Sequence, residues 1–78
     1  MKLYYLLGIG LFRINQYDKS IEHLNITIQY GKKLFDEYYL AKAYGWNSIN
    51  YLNIFSIKEY EECFNIAENK LRYLRQYD

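Results

Sequence analysis

"QYDKSIEHLNITIQY", residues 16–30, is the stretch whose reading decides the fold. Ile21, Leu24 and Ile28 recur at spacings of three and four, with polar residues between them. That is the pattern of one helix face, not the strict alternation of a strand. The face continues through Gly31 to Phe35, so a helix is expected over about 18–35, with small Ser20 where its stripe begins. Ile26, Tyr30 and Leu34 add a second apolar face, which predicts a helix covered from two sides. The stretch aligns with "EYEECFNIAENKLRY", residues 59–73, at an offset of 43. Tyr17 then meets Tyr60, Asp18 meets Glu61, Ser20 meets Cys63, Ile21 meets Phe64 and Ile28 meets Leu71. The order aromatic, acid, small, apolar occurs twice, which is the mark of an internal repeat.

The flanking segments complete the pattern. Upstream, "YYLLGIGLF" belongs to a helix of about 2–14 with Tyr4, Leu7, Leu11 and Ile14 on one stripe, ended by Asn15, a residue that tolerates the left-handed conformation. Gly8 in its middle costs about 1 kcal/mol against alanine and needs a packing reason. Downstream, Asp36 caps a third helix of about 37–55, and Ser56 with Glu59 forms a capping box that opens a fourth, about 57–77. The fourth stripe is Tyr60, Phe64, Ala67, Leu71 and Leu74. At an offset of 40 the third helix matches the first: Tyr44 with Tyr4, Ser48 with Gly8, Tyr51 with Leu11. Proline is absent, and the short links force consecutive helices to run antiparallel. The expected fold is all-α: one domain over 1–78, made of two helix pairs of about 1–36 and 37–78.

Composition narrows the function classes. An aromatic fraction of 21% with 51% apolar residues argues against disorder. A net charge of +1 with interspersed signs gives no electrostatic footprint for nucleic acid. The longest apolar run, Leu3 to Phe12, is too short to span a bilayer, and no cleavage site follows it. Cys63 is the only cysteine, so no internal disulfide forms and a cytoplasmic setting is expected. Eleven tyrosines alongside abundant Ile, Asn and Lys point to an AT-rich, low-GC bacterial genome.

Tyr4, Leu7, Gly8 and Leu11, followed by Ser20, Leu24 and Thr27, resemble the tetratricopeptide repeat (TPR). The family wants W/Y-x2-L-G-x2-Y/L on its first helix and a small, large, small series on its second. The resemblance implies that Gly8 and Ser20 let paired helices approach closely, and that the two pairs stack as a short right-handed solenoid. In the second repeat Ser48, Cys63 and Ala67 fit, whereas Asn47 stands where Leu is usual and Lys70 where a small residue is. Lys32 replaces the customary proline, which lengthens the period to about 40 residues from the roughly 34 of the family. Repeats of that length are similar to those in the Rap, PlcR, NprR and Rgg peptide-pheromone receptors of low-GC Gram-positive bacteria. The resemblance implies a protein- or peptide-binding module, the sensor or interaction part of a larger bacterial regulator. No residue here matches the effector parts of those receptors, so neither DNA binding nor phosphatase activity follows.

Catalytic constellations are lacking. His23 is the only histidine and falls on a helix flank, Cys63 occupies a packing position, and no Cys or His pair has metal-ligand spacing. Asp36/Glu37 and Glu61/Glu62 are helix-start charges favoured by the dipole. Neither an enzyme nor a cofactor is expected. The informative polar residues are Asn47, Asn50 and Asn53, poor mid-helix formers at spacing three. They read either as a solvated face or as amides holding the backbone of a short peptide. In the second case Asn47 and Asn50 grip the peptide, Tyr5 and Phe12 supply apolar pockets, and Arg13 meets a carboxylate. The alternative class is a self-associating helical scaffold without a peptide ligand. Two repeats leave apolar ends uncovered, so a homodimer or higher oligomer is expected in either case.

Overall fold

The computed structural model describes residues 1–75. Four helices follow one another: α1 (Lys2–Arg13), α2 (Tyr17–Lys33), α3 (Glu37–Asn53) and α4 (Ile57–Arg75). No strand occurs among the described residues. The expected extension of the fourth helix to Tyr77 lies outside them.

Three turns of one design set the architecture. Asn15, Phe35 and Phe55, twenty residues apart, are the described residues with positive φ (64°, 54° and 61°). After each, an N–H reaches back into the preceding helix: Gln16 to the Leu11 carbonyl at 2.8 Å, Asp36 to Gly31 at 2.9 Å, Ser56 to Tyr51 at 2.8 Å. Asn15, Phe35 and Phe55 donate to Phe12, Lys32 and Leu52 in turn. These paired bonds are the Schellman motif, which satisfies carbonyls left free at a helix end and reverses the chain. Asp36 then caps α3, its Oδ1 accepting from the Tyr39 N–H at 3.1 Å.

The regular turns correct the repeat register. α1 and α3 end at Arg13 and Asn53, their turns centre on Asn15 and Phe55, and α2 and α4 start at Tyr17 and Ile57, so the second pair is displaced by 40 residues, not by 43 in its second helix. Ser20 therefore corresponds to Tyr60 rather than to Cys63.

Tyr5, Leu24, Ile28, Leu40 and Ala43 make the core, with Ile9, Tyr39, Tyr44 and Trp46 packed against it. It lies between α1, α2 and α3. On α4 only Ala67 is buried among the described residues. Gly8 explains itself: a Cβ there would stand 2.7 Å from Leu24 Cγ, and the Ser20 hydroxyl donates to the Gly8 carbonyl at 2.7 Å. Gly31 makes the equivalent room for Leu40 of α3.

Drawing α1 in at Gly8 rotates its faces. Tyr5 and Gly8 are buried, whereas Leu7 and Ile14 of the expected stripe are exposed. The second face of α2 is only partly covered, with Leu34 exposed and Tyr30 stacked on Tyr4 at 6.1 Å.

Candidate functional site

The residues expected to hold a peptide divide into two places. Tyr5 is buried, and its hydroxyl accepts from Trp46 Nε1 at 3.1 Å while its ring meets Tyr39 edge-on at 5.5 Å. Phe12, half-buried, packs against Trp46 at 5.3 Å and Tyr17 at 5.8 Å. Arg13 is exposed in the last turn of α1, where a cation suits the helix dipole. Trp46 thus joins Tyr5 to Phe12.

Asn47 and Asn50 are on another face, pressed against α2 with 1% and 0% of their surface exposed. Asn47 Nδ2 donates to Asn25 Oδ1 at 3.0 Å, and Asn50 Nδ2 donates to Ser20 Oγ at 2.9 Å. Since Ser20 in turn donates to Gly8, one chain of hydrogen bonds ties α3 to α2 and α2 to α1. An extended peptide has no access to these amides while α2 and α3 stay packed. They are neither groove residues nor a solvated face; Asn53, exposed and bonded back to the Ile49 carbonyl, does fit the solvated reading. Asn47 Oδ1 and Asn50 Oδ1 are buried without a hydrogen-bond partner. An unsatisfied buried acceptor costs about 1–3 kcal/mol, so the seam specifies register at some expense in stability.

His23 donates from Nδ1 to the Lys19 carbonyl at 2.9 Å and lies beside the Tyr4 ring. Burial pushes the Cys63 thiol up, and Glu62 and Glu59 push it further, which suppresses thiolate chemistry. Among the described residues no group of three His, Cys, Asp or Glu side chains is placed to hold a metal ion. No described helix is long and apolar enough to cross a membrane.

The feature that sequence reasoning missed is an open cleft of about 540 Å³ between α3 and α4. Its α4 wall is Tyr60, Phe64, Ala67, Glu68 and Leu71; Gly45, Ile49 and Leu52 contribute from α3. Moved back by 40 residues, the α4 wall becomes Ser20, Leu24, Thr27, Ile28 and Gly31, the buried residues of α2. The cleft is the second copy of the seat that α3 occupies on the first pair. The α4 stripe was its available signal, but the offset of 43 hid the correspondence.

A second apolar surface lies on the outside of α1: Leu3, Leu6, Leu7, Gly10, Leu11 and Ile14. No family model, curated protein or solved structure matches the chain.

Proposed function

We propose that the chain is a TPR-like protein–protein interaction module that receives an amphipathic helix in the cleft between α3 and α4. The observation that carries this reading is the correspondence of that cleft with the seat of α3. A groove built on the same repeat already holds a helix elsewhere in the molecule, and this one is open. Exposed Ile49, Leu52, Phe64 and Leu71 give it an apolar floor, and an apolar helix face in an apolar groove is a recurrent recognition mode. Lys42 and Glu68 bring charge of both signs to the cleft. A cytoplasmic setting accords with the lone Cys63.

The self-associating scaffold is supported by the same surfaces, because Leu3, Leu6, Leu7 and Ile14 leave one apolar face exposed along α1, and Ile49, Leu52, Phe64 and Leu71 leave another along the α3/α4 cleft.

Trp46, the only tryptophan, lines the cleft and reports its occupancy. Titration with a synthetic amphipathic helix, Leu and Ala on one face and Lys and Glu on the other, is expected to shift Trp46 emission saturably. A scrambled peptide of the same composition is expected to leave it unchanged, as is the amphipathic helix added to Gly45→Glu. Equal responses to both peptides, or none, would overturn the reading.

A further inference from the structure

Each of the four glycines lies in a helix, where glycine is disfavoured. Two of them are required by the fold: Gly8 makes room for Leu24 and Gly31 for Leu40. The other two are not. A Cβ at Gly10 or at Gly45 would meet nothing within 4 Å. Gly10 lies on the open apolar face of α1 and Gly45 in the open cleft between α3 and α4. The glycines without a role inside the chain thus fall on its two uncovered surfaces.

Those surfaces are complementary by the chain's own repeat. Advanced by 40 residues, Leu3, Leu6, Leu7, Gly10, Leu11 and Ile14 become Ala43, Trp46, Asn47, Asn50, Tyr51 and Ile54 of α3. Ala43, Asn47 and Asn50 are buried in the seat on the first pair, and Trp46 bonds there to Tyr5. One surface is therefore the counterpart of the helix that docks, and the other the counterpart of the groove that receives it. Resting on the interaction-module reading above, we infer that the cleft takes α1 of a second copy of this chain. The copies then join head to tail and continue the repeat.

Volume agrees with that occupant, and charge agrees at the Arg13 end of α1. Inside the chain Asn50 meets small Ser20; at the junction the corresponding pair is Gly10 and Tyr60, so the large partner has changed sides. Trp46 meets Tyr5 inside the chain; at the junction the smaller Leu6 corresponds to it and faces Gly45. The charged side chains of α1 are Lys2 and Arg13, both basic. Docking antiparallel to α4, as α3 does to α2, brings the Arg13 end near the start of α4, where Glu59, Glu61 and Glu62 outnumber Lys58; the Lys2 end falls near Lys70 and Arg72, which are already paired with Glu37 and Glu68. The two surfaces are different, so the contact is heterologous. It propagates unless its rotation closes a ring.

Gly10→Glu and Gly45→Glu test this on the full chain. Both add a side chain into open space and improve helix propensity, so circular dichroism is expected to show intact folds. Each places a carboxylate in one half of an apolar junction. Sedimentation of the parent chain is expected to show mass growing with concentration past the dimer or reaching a closed ring. Each variant alone is expected to stay a single chain. Mixed in equal amounts, the pair is expected to give a one-to-one complex and stop there, because Gly10→Glu keeps a sound cleft and Gly45→Glu a sound α1. A parent chain that stays single from micromolar to millimolar concentration would overturn the inference, as would variants that still assemble alone or a mixture that forms no complex. A single parent chain whose Trp46 still answers the synthetic helix would remove only the second copy as occupant. Silence in both measurements would remove the cleft as a binding site.

Discussion

In the groove of the first helix pair, Ser20 and Gly31 leave room for a neighbour, and Asn50 and Leu40 of α3 fill it. At the same places in the second pair stand Tyr60 and Leu71, with open space before them. The two grooves share a backbone plan, since the turns at Asn15 and Phe55 have the same hydrogen bonds. They differ in how partner choice is written. The filled groove uses a buried polar seam, Asn50 to Ser20 to Gly8, which holds only one register without stranding more polar atoms. The open groove offers large apolar side chains with few polar demands. Such a surface suits a partner that arrives already folded as a helix.

The comparison breaks most sharply at positions 50 and 10, which correspond under the repeat. Asn50→Asp puts a carboxylate at a site with no exposed surface and removes the donor to Ser20. An unpaired buried charge costs about 3–5 kcal/mol, enough to threaten so small a domain. The expected pH dependence runs one way. The buried carboxyl has its pKa raised, so stability is retained below the ordinary aspartate value of about 4 and lost as pH rises through the folded value. Gly10→Asp, in open space on α1, is expected to change the stability of the single chain by less than about 1 kcal/mol, because the gain in helix propensity over glycine opposes a negative charge in the last turn. Urea titrations at a dilution where the chain is single measure both. Equal losses at the two positions would mean that the outer face of α1 is not open in the single chain.

Next in size is the pair Leu24 and Phe64. Leu24 is 0% exposed between α1 and α3, whereas Phe64 is 46% exposed in the cleft. Leu24→Ala is expected to cost about 2–5 kcal/mol, as in other well-packed cores. Phe64→Ala, which leaves no closed cavity, is expected to cost about 1 kcal/mol or less in the single chain. A Phe64 loss as large as that of Leu24 would show that the cleft closes in solution. Repeating both at high concentration sharpens the contrast: the Phe64 effect is expected to grow as the cleft fills, and the Leu24 effect is not.

The helices were legible because their signals are local. Apolar spacing, Asn15 as a helix stop and Asp36 as a cap set four elements, each bound falling within about two residues where the structure describes it. The register of α4 was not legible in the same way. A slip of three residues turns a helix face by only about 60°, since 3.6 residues make a turn. Offsets of 40 and 43 therefore both bring apolar residues onto nearly the same side. The aromatic and acid order at Tyr17–Asp18 and Tyr60–Glu61 favoured the wrong offset. Asn47 and Asn50 were misplaced because asparagine is mostly exposed in proteins. Their spacing held the answer: Leu40, Ala43, Asn47, Asn50 and Ile54 form one stripe of threes and fours, and Asn47 and Asn50 interrupt its polarity without leaving its face. The α1 stripe failed for another reason. Close approach at Gly8 selects the buried face, and glycine adds nothing to an apolar pattern.

The smallest expected effect, opposite in sign, lies in the turns that make the two grooves alike. Phe35 and Phe55 hold the left-handed conformation that glycine or asparagine usually takes. A bulky residue there strains its Cβ against the neighbouring carbonyl, at roughly 1 kcal/mol or somewhat more. Both rings are 87% exposed, so neither recovers that cost by burial. Phe35→Gly and Phe55→Gly are each expected to raise stability by about 0.5–1 kcal/mol, after the greater chain entropy of glycine in the unfolded state is set against the relieved strain. Asn15→Gly is expected to gain less, because asparagine already tolerates positive φ. Thermal melts of the three variants give the order. If Phe55→Gly destabilises while Phe35→Gly stabilises, the turn beside the open cleft has a packing role that the turn at Phe35 lacks. The two pairs would then differ in their frame as well as in their lining.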